Sequence, residues 1–468
     1  MEQQRDQWKS KFGFLMAAVG SAVGLGNIWG FPYKMGMNGG FAFLIIYLLL
    51  VAFVGFAVML GELALGRKTG QGAVGAYIAL SKKYTWIGYM GVASGFLILS
   101  FYSVLGGFVG KYMISFLIEM FSPGAAFGGM GSGEFFGAFI NNAGGSILFH
   151  FLFMIITAVI VMGGVSGGIE KFNVVAMPAL AVMLVVVIIR SVTLPGAGAG
   201  LAFMFAPNFA AFKEIGFFNV LKTAAGQMFF SLSLGMGCMI TYGSYLSKKE
   251  DLEGSAFIIP ISDTLMALLA GLAVMPAVFA FGMEPTGGPG LLFVTLHTVF
   301  TEGLTGFIGS LFGFIFYFLV LLAAITSAIS LLEVCSTYII DRNTSAGKSS
   351  NRKTITGILA FIIFLIGIPV CMDGLGGGNI IGANFWFGKW CFLDFYDLIS
   401  EGIFMPLGAM LMSIIIGWVI KTKVIKDEAE IEGNKLKFYK FWEICFKFVV
   451  PIVMVVVLIG QLQGFGIF

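Results

Sequence analysis

A few oxygen-bearing side chains interrupt stretches of the sequence that are otherwise apolar. They are Asn27, Ser231, Asp263, Thr326 and Ser327. Amide, carboxylate and hydroxyl oxygens are the ligands that hard cations bind in proteins. Ala323, Thr326 and Ser327 stand at positions i, i+3 and i+4, so a helix would place them on one face. These residue types predict a site for a small monovalent cation.

Glycines and polar residues also occupy the centres of two apolar runs, AVGSAVGLGNIWGFP (18–32) and GQMFFSLSLGMGCMITYGSY (226–245). A helix that unwinds there frees peptide N–H and C=O groups, which a ligand, an ion or a side chain must satisfy. Helix N-termini suit a carboxylate and freed carbonyls suit a cation, which predicts a zwitterion bound beside a metal ion. The alternative is close helix packing through small residues. Small residues two apart fall on different helix faces, which favours unwinding.

The elements that position these residues must cross a membrane. The 468 residues are 58% hydrophobic and only 11% charged, against about 25% charged in soluble domains. The runs lack the two-residue alternation of a barrel, so we predict an all-α integral membrane protein with eleven transmembrane helices. Apolar runs of about 20 residues, enough to span a bilayer, occur at 13–36, 41–65, 88–116, 146–166, 174–193, 218–246, 256–281, 306–340, 354–372, 393–420 and 443–466.

Basic residues predict the orientation. Lysines and arginines concentrate in the loops on the side of the N-terminus, whereas the opposite loops keep few, such as Lys213 and Lys389. The positive-inside bias places the N-terminus in the cytoplasm and the C-terminus outside the plasma membrane. No signal peptide is evident. The net charge of +3 is spread over short loops, which argues against nucleic acid as a partner, and no obligate protein partner is evident.

The two interrupted runs lie five predicted spans apart, so they cross the membrane in opposite senses, as in an inverted repeat of five plus five helices. The predicted units are residues 11–195 with helices 1 to 5, residues 196–421 with helices 6 to 10, and residues 422–468 with a cytoplasmic loop and helix 11. Interrupted spans at matching positions of two inverted halves indicate the midplane binding site of a secondary transporter.

Acidic residues inside predicted spans include Asp263, Glu62 and Glu333. A carboxylate inside the bilayer is a functional candidate by default, which applies first to Asp263. The alternative for Asp263 is a structural hydrogen-bond acceptor near the membrane edge. Glu62 could accept hydrogen bonds from amides that unwinding frees, and Glu333 raises the same question.

The remaining reactive side chains carry no catalytic pattern. His150 and His297 lack metal-ligand spacing and are interpreted as structural. Cys371 and Cys391 flank one predicted outer loop, and a disulfide between them is left open. No metalloprotease helix, Walker motif or nucleophile elbow occurs, so we predict neither an enzyme nor an ATP-driven pump.

Several motifs in order resemble the neurotransmitter:sodium symporter family: GSAVGLGNIWGFPY, NGG, GGIEKFN, LPGAG and GQMFFSLSLGMGCMITYGSYL. The similarity covers about the first ten predicted spans. It implies the bacterial leucine-transporter fold, an inverted five-plus-five repeat around unwound helices 1 and 6. It also implies that sodium entry drives the uptake of amino acids or amines.

The resemblance implies two sodium sites and a substrate pocket. The first sodium site resembles Ala22, Asn27, Ser231 and Asp263, completed by the substrate carboxylate. The second resembles the carbonyls of Gly20, Val23 and Ala323 with the hydroxyls of Thr326 and Ser327. The pocket resembles Ser21, Ala22, Leu25, Gly26, Ile98, Tyr102, Phe230, Ser231, Ser233, Met236, Ser327 and Leu331. Tyr102 would donate to the substrate carboxylate, and Phe230 would form a lid.

The resemblance also bears on specificity. Family members that carry amines have an aspartate where this chain has Gly24, which implies an amino-acid substrate. The flexible thioether of Met236 favours larger hydrophobic or aromatic amino acids. Asp263, near Tyr47, Gln227 and Ser231 in the family pattern, would take the place of chloride, so transport would not require chloride.

On the cytoplasmic side, Arg5 and Asp341 match the family's gate pair, with Trp8 beside them. Gly168 and Pro178 match a spacing of glycine, nine residues and proline that lets helix 5 unwind and admit water to the second sodium site.

The outer gate departs from the family pattern, because Gly30 stands where an arginine usually pairs with an acid that matches Asp397. Lys34 is four residues on, on nearly the same helix face, and could replace the arginine. Such a pair would be weak, which a gate that must reopen tolerates.

The sequence thus predicts a sodium-coupled symporter that imports hydrophobic or aromatic amino acids by alternating access, with two sodium ions as co-substrates. A non-transporting amino-acid sensor or channel with the same fold is the alternative. A membrane enzyme is not supported, because no acid, base and nucleophile converge.

Overall fold

The computed structural model describes residues 6–285, 290–304, 306–378, 380–382 and 385–467. This part of the chain is helical, and its one β-bridge joins Trp386 and Trp390. The helices in chain order are α1 (Lys11–Ala22), α2 (Gly26–Met37), α3 (Phe41–Thr69), α4 (Ala73–Leu80), α5 (Lys82–Phe121), α6 (Ser132–Ile140), α7 (Ala143–Met162), α8 (Val165–Val192), α9 (Ala197–Phe205), α10 (Phe217–Ser231), α11 (Cys238–Gly243), α12 (Leu252–Ala280), α13 (Leu291–Gly303), α14 (Gly306–Ser345), α15 (Arg352–Met372), α16 (Phe392–Val419), α17 (Lys423–Ala429) and α18 (Tyr439–Gly464).

Nine helices of the described residues are long and apolar enough to cross a membrane: α3, α5, α7, α8, α12, α14, α15, α16 and α18. α1 and α2 meet at a bend of 50° and together would form a tenth span. The run at 218–246 corresponds to α10 and α11, which residues 232–237 separate. The chain is therefore a multi-pass membrane protein. The total of eleven spans stays a prediction, because α10 and α11 are each shorter than a span.

The helices α5 and α14 are longer than the runs that predict them. Each contains 40 residues, or about 60 Å at 1.5 Å per residue, twice the roughly 30 Å of a bilayer's hydrocarbon core. The two helices pack along each other. Ile98 and Tyr102 on α5, and Ser327 and Leu331 on α14, stand four residues apart, so each pair shares a face.

The two breaks have different backbone conformations. α1 ends where Val23 becomes extended, with φ −76° and ψ 105°. After α10, Ser233, Gly235 and Gly237 have φ of 53°, 78° and 77°. Glycine adopts positive φ freely, whereas a left-handed serine costs roughly 1–2 kcal/mol. Ser233 Oγ donates to the carbonyl of Ser21 at 2.8 Å, which joins the second break to the first.

The breaks lie in the middle of the bundle. α1 packs against α8, α12 and α14, and α11 packs against α3. The long helices therefore enclose the exposed backbone of both breaks, as irregular backbone at membrane depth requires.

Buried cysteine and histidine side chains contact other side chains of the helical bundle. Cys371 and Cys391 are both free thiols, so the disulfide that the sequence leaves open is not formed. Cys371 Sγ instead lies 3.9 Å from His150 Nδ1. The His150 ring also lies 2.9 Å from Ser103 Oγ, and His297 is likewise buried.

Candidate ion and substrate site

A cavity lies between the two breaks, enclosed by α5 and α14. Its lining matches the sequence-predicted pocket except that Gly24 takes the place of Leu25. The lining residues are Ser21, Ala22, Gly24, Gly26, Ile98, Tyr102, Phe230, Ser231, Ser233, Met236, Ser327 and Leu331. Leu25 instead donates its backbone N–H to Tyr102 Oη at 3.1 Å, so it positions the tyrosine from behind.

The cavity is polar on one side and apolar on the other. Tyr102 and the backbone at Leu25, in the break between α1 and α2, provide the polar side, whereas Ile98, Met236 and Leu331 contribute apolar surface. A Cβ placed on Gly26 would lie 2.8 Å from the Phe230 ring. Phe230 therefore lies directly over Gly26 and covers the cavity from the side of α10.

Gly24 is sterically required in this arrangement. A Cβ at position 24 would overlap Ser327 Oγ and lie 2.8 Å from Tyr102 Oη. A longer acidic side chain, as in the amine-carrying members of the resembled family, would have to displace both hydroxyls. The side chains of Ser327 and Tyr102 thus already fill the space beside Gly24, between the first break and α14.

The first group of candidate ion ligands surrounds Asp263, which is fully buried. Its carboxylate accepts hydrogen bonds from Asn27 Nδ2 at 2.7 Å, Ser231 Oγ at 2.9 Å and Tyr47 Oη at 3.5 Å. Asn27 Oδ1 accepts the backbone N–H of Gly24 at 2.9 Å. Asp263 thus lies beside the first break in the protein interior, which does not fit an acceptor at the membrane edge. We call these ligands, with Ala22, the first ion group.

The second ion group combines the end of α1 with one face of α14. Thr326 Oγ1 lies 2.9 Å from the Ala323 carbonyl and 3.4 Å from the Val23 carbonyl. Ser327 Oγ lies 3.5 Å from the Gly20 carbonyl and 3.3 Å from the Val23 carbonyl. The last carbonyls of a helix have no intrahelical donors, and hydroxyl hydrogens can rotate to direct lone pairs inward. The five oxygens therefore fit a small cation, which does not require its ligands to lie in fixed directions.

Glu62 stabilises the second break. The Gly235 N–H donates to Glu62 Oε1 at 2.7 Å, within the stretch that forms no helix. Among the described residues, Glu62 Oε2 accepts no hydrogen bond although it is buried. The expectation that Glu62 satisfies an amide freed by unwinding agrees with this contact.

The end of the bundle at which α1 begins is called the N-terminal face. Trp8 lies there and donates from Nε1 to the Tyr242 carbonyl at 3.0 Å. Asp341 Oδ2 accepts the Gly72 N–H at 2.7 Å. The partner that the sequence assigns to Asp341, Arg5, lies outside the described residues.

An ionic cluster at the same face was not predicted from the sequence. Arg352 forms ion pairs with Glu333 and, at 3.4 Å, with Asp6. Tyr245 Oη donates to Glu333 at 2.7 Å. These contacts join α14, α15, the end of the broken span and the N-terminal segment. The signal was the buried Glu333, since such an acid requires a partner, and Arg352 begins the next helix.

At the opposite face, the outer-gate residues are near one another without direct contact. Glu401 and Asp397 are near enough to Lys34 to interact with it electrostatically. Among the described residues, however, Lys34 forms no ion pair within 4.0 Å with either acid. Gln227 occupies the space beside Gly30, since a Cβ there would lie 3.1 Å from Gln227 Oε1. The replacement of the arginine by Lys34 stays a prediction, and Glu401 is a second acid that the sequence did not single out.

The segment from Gly168 to Pro178 is helical, because α8 continues through both residues. Gly168 packs so tightly against the Ile160 carbonyl that a Cβ would overlap it. Pro178 has no N–H and leaves the preceding turn one hydrogen bond short. The segment is thus helical, with a close contact to α7 at Gly168 and a missing hydrogen bond at Pro178.

The family model described as the sodium:neurotransmitter symporter family matches residues 5–123 and 138–466. The chain belongs to this family. The match covers both breaks, both ion groups and the cavity, so membership makes the protein a sodium-coupled transporter. Members of this symporter family are transporters and not enzymes, as the sequence predicts.

Relatives and a solved structure agree with this assignment. The uncharacterized sodium-dependent transporter YhdH of Bacillus subtilis is 36% identical over 468 residues, which cover 98% of each chain. An uncharacterized sodium-dependent transporter of Haemophilus influenzae is 35% identical over 478 residues, 98% of this chain and 99% of that one. The crystal structure of MhsT in complex with L-phenylalanine superimposes with a TM-score of 0.86 at 40% identity, covering 98% of this chain and 100% of MhsT. The all-helical membrane fold and the family resemblance are thereby confirmed.

Proposed function

We propose that this symporter imports hydrophobic or aromatic amino acids together with two sodium ions by alternating access. The observation that carries the proposal is the convergence of both helix breaks, two oxygen groups and an apolar cavity. Freed backbone groups in a membrane protein need partners, and here they lie around one site. Binding free energies that differ between outward-open and inward-open states would drive the change of access.

Each ion group would bind one sodium ion. In the first, Asp263 supplies the negative charge, and Ala22, Asn27 and Ser231 supply neutral oxygens, with the substrate carboxylate as a further ligand. Asp263 lies within hydrogen-bonding distance of Tyr47 and Ser231, so this fixed carboxylate would balance the sodium charge in place of a separate anion. We therefore propose that chloride is not required.

The substrate would bind with its carboxylate at the polar side of the cavity. Tyr102 Oη already accepts the Leu25 N–H, which leaves its hydrogen available to donate to a carboxylate. Gly24 carries no side chain and so provides no counter-charge for an amine-only substrate. Ile98, Met236 and Leu331 would contact an apolar side chain. The complex of MhsT with L-phenylalanine supports an aromatic substrate as the first compound to test.

We further propose the orientation and repeat division that the sequence predicts. The N-terminal face would be cytoplasmic in a plasma membrane, because lysines and arginines concentrate in the loops on that side. Residues 11–195 and 196–421 would form the inverted repeats, and residues 422–468 the appended loop and helix. Trp8, Asp341 and the Arg352 cluster would close the cytoplasmic side, and Lys34 with Asp397 the outer side.

A matched pair of threonine variants tests the ion assignment. Thr326 bonds to the Ala323 carbonyl at 2.9 Å, and Thr157 on α7 bonds to the Phe153 carbonyl at 3.0 Å. Both are buried, but only Thr326 belongs to an ion group. Uptake of L-[3H]phenylalanine into proteoliposomes should require sodium and should be lost when potassium replaces it. Thr326→Ala should raise the sodium concentration for half-maximal uptake about tenfold, which corresponds to about 1.4 kcal/mol.

Thr157→Ala should leave that sodium concentration within about twofold of the wild-type value, because the Thr157 hydroxyl donates to the Phe153 carbonyl, which belongs to neither ion group. Equal effects of both variants would contradict the second ion group. Saturable, sodium-dependent binding of phenylalanine without uptake would favour the sensor or channel alternative.

A further inference from the structure

Asn173 on α8 presents a buried oxygen to α1 at Gly20. The side chain is fully buried, and its Nδ2 donates to the Ile169 carbonyl at 2.9 Å. Its Oδ1 accepts no hydrogen bond from the described residues. A Cβ on Gly20 would overlap this oxygen and lie 3.3 Å from Met177 Sδ. Oδ1 therefore lies where a side chain at position 20 would begin.

A buried acceptor without a donor is costly in a packed interior, whereas an apolar side chain of the same size is not. Asparagine carbonyl oxygens are also ligands for hard cations. Gly20 provides a carbonyl to the second ion group, where Ser327 Oγ lies 3.5 Å from it. Asn173 thus lies against Gly20, on the side of the second ion group that faces α8.

The position along α8 is equally specific. Asn173 lies midway between Gly168 and Pro178, and Pro178 leaves the carbonyl four residues before it without an intrahelical donor. The only hydrogen bond of the Asn173 side chain among the described residues is to Ile169, which is inside the same segment. Unwinding of this segment would release that bond and free the whole amide.

A second oxygen group follows towards the N-terminal face. Glu170 lies three residues earlier on α8, about 4.5 Å along the helix axis. Its carboxylate accepts the Lys9 N–H at 2.8 Å and Ser10 Oγ at 3.0 Å. A Cβ on Gly13 would overlap Glu170 Oε1, so α8 places a polar side chain over a glycine of α1 twice. Oxygens therefore continue from the second ion group to the N-terminal segment.

We propose that Asn173 Oδ1 is a transient ligand for the sodium ion that leaves the second ion group, with Glu170 as the next oxygen on the path. The inference rests on the proposed function and adds a release path between α1 and α8. Asn173 faces the α-carbon of Gly20 and not its carbonyl oxygen, so it acts on ion movement and not on equilibrium affinity.

Two measurements on purified protein separate these effects: the equilibrium Kd for 22Na+ and the rate at which bound 22Na+ leaves during a chase with unlabelled sodium. Asn173→Leu keeps the volume and removes the oxygen. It should slow the chase and the turnover of L-[3H]phenylalanine uptake at least tenfold and leave the Kd within about twofold. Met177→Leu, which changes the other neighbour of Gly20, should match the wild type in all three values.

Asn173→Asp provides a second test that keeps both size and oxygen. The added negative charge should hold the ion, so 22Na+ binds at least threefold more tightly and leaves more slowly. Wild-type kinetics in Asn173→Leu, or an equal loss of affinity and turnover, would overturn the proposal. If Asn173→Leu does not fold, an unchanged Kd and chase rate in Asn173→Asp would overturn it.

The proposed function can fail separately from this inference. Wild-type protein that binds 22Na+ but accumulates no phenylalanine would contradict symport, and the chase comparison would still decide the role of Asn173. Wild-type protein that binds no 22Na+ would contradict both.

Discussion

Gly24 lies beside Ser327 of the second ion group and Tyr102 of the substrate cavity. A single methyl group there should therefore disturb ion binding and substrate binding together. In Gly24→Ala the new Cβ would overlap Ser327 Oγ and lie 2.8 Å from Tyr102 Oη, against 3.4 Å for ordinary contact. Tyr102 would therefore have to move by about 0.6 Å, and Ser327 by more. Ser327 Oγ would leave the carbonyls of Ser21 and Val23, now at 3.1 and 3.3 Å.

Overpacking of this kind costs about 1–3 kcal/mol, which is about 5- to 150-fold in an equilibrium constant at 1.4 kcal/mol per tenfold. Scintillation proximity binding of 22Na+ and L-[3H]phenylalanine to purified Gly24→Ala should show both affinities reduced within that range. Gly95→Ala is the matched control, because its Cβ meets nothing closer than 3.7 Å. Wild-type affinities in Gly24→Ala, or the loss of only one ligand, would refute the reasoning.

Three further substitutions test separate contacts. Asp263→Asn removes the charge of the first ion group and should raise the sodium concentration for half-maximal uptake about tenfold, about 1.4 kcal/mol; an unchanged sodium dependence would contradict the group. Arg352→Gln leaves Glu333 buried without its cation, which costs about 3–5 kcal/mol, so its apparent Tm should fall and the double variant with Glu333→Gln should recover part of the loss. Glu62→Ala leaves the Gly235 N–H without its acceptor, which costs about 1–3 kcal/mol. Glu62→Gln keeps an oxygen there, so it should have a higher Tm than Glu62→Ala, and equal Tm values would argue against the contact.

The membrane-spanning helices follow closely from the sequence, for physical reasons, whereas the cavity lining is implied by the family resemblance. A span needs about 20 apolar residues, and apolar runs of this length are visible directly in the sequence. Glycines and polar residues inside two apolar runs mark the two breaks, and the helix period groups Thr326 with Ser327. Local patterns of this kind need no knowledge of distant contacts.

Contacts between distant elements could not be read in the same way. The exchange of Leu25 for Gly24 in the cavity lining depends on how the backbone turns after Val23, where ψ is 105°. The pairing of Arg352 with Glu333 joins two different helices, α15 and α14, so no helix period predicts it. Cysteine positions leave a disulfide between Cys371 and Cys391 open, whereas in the structure the Cys371 thiol lies 3.9 Å from His150 Nδ1.

The central claim is that sodium gradients drive accumulation of an amino acid through this site. The most direct test is the ratio of internal to external L-[3H]phenylalanine in proteoliposomes with an inward sodium gradient. Sodium-coupled symport predicts accumulation above equilibrium that collapses when a sodium ionophore is added or potassium replaces sodium. Uptake that stops at equal concentrations, or accumulation that persists without sodium, would contradict it.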